Sequence, residues 1–215
     1  TLFAAHMVQH LVLMLVAAPL FSASRPLLPA VVALGHRFGS VARRIERSRF
    51  GAGIARALRS PVVVFVLSTI ALWGWHLPGL YRAALEDPWI HALEHASFIG
   101  TSMLFWWLVL TTGGRKALSD GAAVLFVFVS GMPAAALGAL LTFATVTLYP
   151  IHRSGARLWH TTLLHDQQMA GIIMWVPAGV VYIGTAAVLF LRWIAREERR
   201  EETDATRKLG WLVER

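Results

Sequence analysis

Histidines are the residues of this sequence whose type and spacing could do chemistry. His6 and His10 are four residues apart in one apolar stretch, and His91 and His95 are four apart in another. Residues at positions i and i+4 lie on one face of a helix, so each pair can present two imidazoles to a common centre. Imidazole is a ligand for copper, zinc, iron and nickel. The two pairs therefore predict a four-histidine metal site, with His76, which closes a further apolar stretch, as a fifth candidate.

Other side chains could complete or surround such a site. Methionine thioethers are soft ligands for cuprous copper, and Met7 and Met169 are candidates to assist. Glu94 is interpreted as an acceptor that orients an imidazole or as a partner for Arg82. Asp166 is interpreted as the cap of the last apolar helix. Solvent exposure is the simpler explanation for three histidines that share one loop, namely His152, His160 and His165.

The elements that must position these histidines are membrane-spanning helices. Apolar residues make up 56% of the 215 residues. Charged residues make up 15%, against about 25% in an average soluble domain. A helix needs about 20 mostly apolar residues to cross a bilayer. We therefore predict an all-α, polytopic transmembrane helix bundle with at least five spans. The predicted spans cover about residues 2–21, 61–77, 89–112, 121–149 and 168–193, followed by a charged tail at 196–215.

Basic residues set the predicted orientation. Residues 22–59 carry eight arginines, with apolar residues at helical spacing, which is typical of a basic amphipathic helix on a membrane surface or of a solvated linker. This segment, the turn at 113–120 and the tail fall on one side if five spans alternate. Lys and Arg accumulate in cytoplasmic loops, so that side is predicted to be the cytoplasm. All histidines except His36 then lie in or near the outer half.

Charge and composition exclude several classes of function. The net charge of +8 would suggest nucleic acid in a soluble protein, but here it lies in loops beside apolar spans. The lipid bilayer is thus a predicted partner and nucleic acid is not. The sequence has no cysteine, which excludes disulfides, thiolate metal sites and haem attachment through paired cysteines. Because Thr1 leads directly into an apolar stretch, we expect one or more preceding helices.

One short motif suggests a protease. His91-Ala-Leu-Glu94-His95 matches H-x-x-E-H, the inverted zinc-protease pattern. A zinc protease needs a third protein ligand, and Asp166 is the only later carboxylate on the predicted outer side. Matches of this length arise by chance. We therefore predict that the protein is not an enzyme.

Several blocks of the sequence, in a fixed order, resemble a known family. The resemblance is to the CtaG family of assembly factors for caa-type cytochrome c oxidase, and it covers about residues 3–190. The blocks are His6-Met-Val-Gln-His10 with Pro19, the segment from Pro78 to Phe98, Leu148-Tyr149-Pro150, and the segment from Asp166 to Pro177.

The resemblance implies a multi-pass protein of the bacterial plasma membrane that helps a haem-copper oxidase to mature. It implies oxidase subunits as partners and copper as the bound ion. The ligands that it carries over are His6, His10, His91 and His95, with His76 and Asp166 as lesser candidates.

The working hypothesis is that the outer histidines bind copper reversibly and pass it laterally to an oxidase subunit by ligand exchange. Two alternatives stay open. Paired histidines on two spans can be axial ligands of a b-type haem. A scaffold that binds oxidase subunits and no metal would use the same histidines as hydrogen-bonded packing. The sequence leaves the metal's oxidation state and a homo-oligomer open.

Overall fold

Helices form every regular element in the part of the chain that the structure describes. A computed structural model describes residues 2–24, 48–111 and 118–213. The predicted all-α class is confirmed. The helices are α1 (Phe3–Ser24), α2 (Arg49–Leu58), α3 (Pro61–Trp75), α4 (Pro78–Glu86), α5 (Pro88–Leu110), α6 (Asp120–Thr142), α7 (Arg153–Leu158) and α8 (Leu163–Val213), with a 3-10 turn at Pro150–His152 before α7.

The candidate membrane spans agree with the predicted bundle. Four of the described helices, α1, α5, α6 and α8, are long and apolar enough to cross a membrane. The pair α2 and α3 passes the same test only as a unit and is bent by 75° at the break between the two helices. The described residues thus contain four candidate spans, or five if the bent pair counts as one. Most of the predicted basic amphipathic helix falls at 25–47, outside the described residues.

Local sequence signals start the helices around the histidines. Pro61, Pro78 and Pro88 each occupy the first turn of a helix, where proline's fixed φ is favourable and its missing N–H is not needed. The Asp87 carboxylate accepts a hydrogen bond from the backbone N–H of Trp89 at 2.7 Å, which caps α5. These signals produce the short α4 between α3 and α5, and α4 packs against α5.

The fourth apolar segment forms a shorter helix than the sequence predicted. α6 ends at Thr142, whereas the predicted span continued to residue 149. The residues after the helix are held by α8 through Gln167. This side chain accepts a hydrogen bond from the Leu148 N–H at 2.7 Å and donates one to the Val146 carbonyl at 3.1 Å. Because a side chain satisfies these two backbone groups, the chain can leave the helix there without leaving them unpaired.

The start of α1 is fixed by a carboxylate from the other end of the sequence. Asp166 accepts hydrogen bonds from the backbone N–H groups of Phe3 at 2.8 Å and Ala4 at 3.0 Å. The prediction that Asp166 caps its own helix is therefore wrong. The first N–H groups of α1 have no partner within their helix and take this carboxylate instead. The Thr162 hydroxyl, which accepts from the His165 N–H at 3.1 Å, occupies the capping place before α8.

A close helix crossing joins α6 and α8 through glycine. A Cβ added at Gly171 would lie 2.6 Å from the Thr142 nitrogen and 2.7 Å from the Gly138 carbonyl oxygen. Small residues allow membrane helices to approach this closely. The crossing holds the start of α8, and with it Asp166, against the rest of the bundle.

Gly171→Ala is expected to destabilise the protein, because overpacking of this kind costs roughly 1–3 kcal/mol. The measurement is thermal unfolding in mild detergent. Gly179→Ala is the matched control in the same helix, since a Cβ there has no neighbour within 4 Å. The control should be neutral or stabilising by up to about 1 kcal/mol, as expected for Gly→Ala in a helix. Equal melting temperatures for the two variants would contradict the close crossing.

The bundle has two chemically distinct ends. At one end Arg196 of α8 forms an ion pair with Asp120 at the start of α6. The opposite end holds the beginnings of α1, α5 and α8, together with Asp166. The paired histidines lie on α1 and α5 near this second end.

Candidate metal centre

Three histidines and one glutamate converge near the starts of α1 and α5. His6, His10, Glu94 and His95 each offer one ligand atom, and these four atoms lie within 4.8 Å of one another. The Nε2 atoms of His10 and His95 are 3.2 Å apart. This separation is close to the edge of roughly 3.4 Å of a tetrahedron with metal–nitrogen bonds of about 2.1 Å. The arrangement can hold a four-coordinate metal ion after small side-chain movements.

Glu94 is the acidic residue of this cluster. Its side chain is fully buried, and neither carboxylate oxygen has a hydrogen-bond partner among the described residues. Nε2 of His10 and Nε2 of His91 are each 4.0 Å from a Glu94 oxygen. The predicted pairing with Arg82 is wrong, because Arg82 pairs with Glu86 at 2.7 Å. A buried carboxylate without a partner is costly, and a cation held in the cluster would offset that cost.

His91 and His95 form the accessible edge of the cluster. The ring centroids of His91 and His95 are 4.3 Å apart, and those of His6 and His91 are 5.5 Å apart. The His91 side chain is 35% exposed, although its Nε2 atom is buried, whereas the His6 and His10 side chains are buried as a whole. His91 therefore stands beside the four converging atoms, and its assignment as a ligand stays a prediction. An ion that entered or left the cluster could do so past His91 and His95.

Two other predicted ligands lie away from the four atoms. His76 is buried and donates from Nδ1 to the Leu72 carbonyl at 2.7 Å. Phe98 packs between the two regions, with ring centroids 4.9 Å from His10 and 6.3 Å from His76. Met169 is exposed.

Tyr81 and His152 extend the cluster by hydrogen bonds. The Tyr81 hydroxyl lies 2.8 Å from Nδ1 of His6 and 2.7 Å from Nε2 of His152. The expectation of solvent exposure is thus wrong for His152, which is buried because the turn before α7 folds it inwards. His160 and His165 are exposed as expected. No spacing rule marks Tyr81, which the fold alone brings to His6.

The tyrosine keeps His6 in a form that can bind metal. If His6 binds an ion through Nε2, its Nδ1 must carry the ring proton and donate it to the Tyr81 oxygen. The Tyr81 hydroxyl then donates to His152. Burial, and to a lesser degree the charge of Glu94, raises the pKa of Tyr81 above its usual value. Tyr81 therefore stays protonated at neutral pH and can serve both partners.

Tyr81→Phe is expected to lower metal affinity about 10–100-fold, the usual cost of losing the partner that orients a ligating histidine. The measurement is a competition titration with a chelator in mild detergent. Tyr149→Phe is the matched control. Its hydroxyl donates to the His76 carbonyl at 2.6 Å, and burial raises the pKa of Tyr149 to about 12. Equal losses in both variants would contradict the special role of Tyr81.

Comparison with known proteins decides the family. The family described as cytochrome c oxidase caa3 assembly factor (Caa3_CtaG) matches residues 1–196. The chain belongs to this family. The predicted resemblance is confirmed, and the matched region of the chain contains every residue of the cluster.

The similarity to curated relatives covers only part of the chain. An uncharacterized protein of Mycobacterium bovis and one of Mycobacterium tuberculosis are each 25% identical to this chain over 145 residues. The similar region is 66% of this chain and 22% of each relative, so the chain spans well under half of their length. No solved structure matches the chain significantly.

Proposed function

We propose that this member of the family is an assembly factor that binds copper through His6, His10, His95 and Glu94 and delivers it to cytochrome c oxidase. One observation carries the proposal. Three imidazoles surround a fully buried carboxylate that has no other partner among the described residues, with all four ligand atoms within 4.8 Å. A bound cation gives that carboxylate a counter-charge.

The ligand set fits a transported ion. Three imidazoles and one carboxylate suit copper, zinc, iron and nickel, and copper is the ion that a haem-copper oxidase requires. The sequence has no cysteine, so no thiolate traps the ion. Release to another protein then needs only the exchange of imidazole and carboxylate ligands.

The exposed edge of the cluster is the proposed exchange route. His95 is a ligand at this edge, and the ring centroids of His91 and His95 are 4.3 Å apart. His91 can therefore bind the ion as it dissociates from His95. The ion would pass laterally to an oxidase subunit in the same membrane. Ligand exchange is the whole mechanism, and no bond is made or broken in a substrate.

The orientation follows from the basic residues. The end that holds Asp120 and Arg196 is adjacent to the basic turn and tail, so we assign it to the cytoplasm. The cluster then lies towards the outer face of the bacterial plasma membrane.

The geometry disfavours the haem alternative. A b-type haem would need space for its macrocycle between two histidine ligands. His10 and His95 instead contact each other directly at 3.2 Å. The cavity beside His10 is about 40 Å³, against roughly 300 Å³ or more for pockets that hold a cofactor.

The proposal is tested in cells that need this protein to assemble an active oxidase. Glu94→Gln combined with His95→Ala is expected to leave the protein in the membrane but to abolish oxidase activity and lower the copper content of the oxidase. His160→Ala combined with His165→Ala is the matched control, because both side chains are exposed and outside the cluster. This control should support normal activity.

Full oxidase activity in the Glu94→Gln/His95→Ala variant would reject copper delivery and favour the scaffold alternative. The amount of each variant in the membrane is measured in parallel. A cluster variant that is missing from the membrane is replaced by Glu94→Gln alone, which keeps the shape of the side chain.

A further inference from the structure

A cavity beside the histidine cluster is lined in part by three methionines and His76. It measures about 40 Å³, more than the roughly 10–15 Å³ that one water molecule requires. Three of the chain's six methionines, Met7, Met14 and Met174, line it, and His76 lines it as well. Apolar residues such as Phe98 form most of the remaining wall. Methionine often serves only to fill space, so the histidine is the informative member.

His76 presents an unoccupied ligand atom. Its Nδ1 lies 2.7 Å from the Leu72 carbonyl, which can only accept, so Nδ1 carries the ring proton. In the neutral ring Nε2 then carries no proton and offers its lone pair as an acceptor or ligand. Nε2 is buried and has no hydrogen-bond partner among the described residues. A carbonyl that fixes one ring nitrogen and leaves the other bare is the arrangement found in metal-ligating histidines.

The helix that carries Met7 and Met14 has an irregular turn where it borders the cavity. Met14 lies in a π-helical turn, Leu13–Ala17, and its carbonyl accepts a hydrogen bond from the Trp106 indole at 2.9 Å. Single π-turns within α-helices frequently mark functional sites. Met7 is one heptad earlier, so both thioethers fall on the same side of α1.

We infer that Met7, Met14, Met174 and His76 form a second binding site, specific for a soft monovalent cation such as cuprous copper. Thioethers and a neutral imidazole are the ligands that such an ion prefers. No Asp or Glu lines the cavity, so a divalent ion would be buried there without a counter-charge, at high cost. The outer cluster has Glu94 and suits a more highly charged ion. The two sites share no proposed ligand, so the second does not depend on the first.

His10 lies between the two sites. It belongs to the outer cluster through Nε2 and also lines the cavity, and its Nδ1 is buried without a partner among the described residues. A neutral imidazole has only one bare nitrogen at a time. His10 therefore serves the outer site when it is occupied and leaves the inner site to the thioethers and His76.

The test uses silver ion, a soft monovalent probe with no redox step, on the whole chain in mild detergent. Met7→Leu combined with Met174→Leu removes two thioethers and keeps the apolar volume. Silver affinity is expected to fall by more than about 100-fold. Loss of a residue that only orients a ligand lowers metal affinity about 10–100-fold, and loss of two ligands should lower it further. Met132→Leu combined with Met169→Leu is the matched control, since both side chains are exposed, and it should bind silver as the wild type does.

X-ray absorption of the bound silver provides a second readout, with a sulfur shell expected in the wild type and in the control. Unchanged silver affinity in Met7→Leu/Met174→Leu, or a shell of nitrogen and oxygen alone, would overturn the inference. Divalent copper binding is measured on the same variants and is expected to be unchanged. If variants of the outer cluster lose divalent copper binding but keep silver binding, the two sites are independent. Failure of the inner site can then be distinguished from failure of the outer one.

Discussion

Glu94→Leu is expected to change stability and metal affinity in opposite directions. The Glu94 carboxylate is fully buried without a hydrogen-bond partner among the described residues. Replacing an unsatisfied buried acceptor by an apolar group of similar size relieves roughly 1–3 kcal/mol. The metal-free variant should therefore unfold at a higher temperature than the metal-free wild type. Thermal unfolding in mild detergent measures the difference.

Saturating metal should narrow or reverse that difference. At a free metal concentration 100 times Kd, binding stabilises the wild type by about 2.7 kcal/mol. The variant lacks the only anionic ligand, so its affinity should fall by more than about 100-fold, beyond the cost of losing an outer partner. Glu86→Leu is the control, because Glu86 forms an exposed pair with Arg82, and such pairs contribute about 0–1 kcal/mol. If the metal-free Glu94→Leu protein is less stable than the wild type, the conclusion that the Glu94 carboxylate has no hydrogen-bond partner among the described residues is contradicted.

His95→Ala and His91→Ala are expected to differ strongly, although the two residues lie on one face of α5. The His95 ligand atom belongs to the group that converges within 4.8 Å, and that of His91 does not. His95→Ala should lower equilibrium affinity for divalent copper by more than about 100-fold, while His91→Ala should lower it by about 10-fold or less. Chelator competition gives the affinities.

The rate of copper release distinguishes the two residues further. His91 stands at the exposed edge, so His91→Ala should slow the transfer of copper to a chelator while leaving most of the affinity intact. Equal and large losses of affinity in both variants would instead support the four-histidine site that the sequence predicted, with His91 in place of Glu94.

Periodicity explains why part of the site could be predicted. The i, i+4 spacing of His6 and His10 places both on one side of α1 whatever the rest of the bundle does. The same rule put His91 and His95 together. It could not decide which of three neighbouring α5 positions, His91, Glu94 or His95, faces α1, because that depends on the rotation of α5 within the bundle.

Long-range contacts explain what could not be predicted. Tyr81 reaches His6, and Asp166 reaches the start of α1, across separations of 75 and 163 residues. No local pattern encodes either contact. Hydropathy likewise predicted apolar spans but extended the fourth past Thr142, because it does not register that Gln167 supports the following loop through hydrogen bonds.

The copper-to-protein ratio of the chain tests the account's central claim most directly. The protein is stripped of metal, loaded with divalent copper in the absence of any reductant so that only the outer cluster is filled, purified in mild detergent and analysed by mass spectrometry for metal content. We predict about one divalent copper ion per chain in the wild type, as a single four-ligand site requires, and almost none with His6, His10 and His95 all replaced by alanine. His160→Ala/His165→Ala should retain the ion. Copper retained in the triple variant, or none bound by the wild type, would contradict the assignment of this cluster as the metal centre.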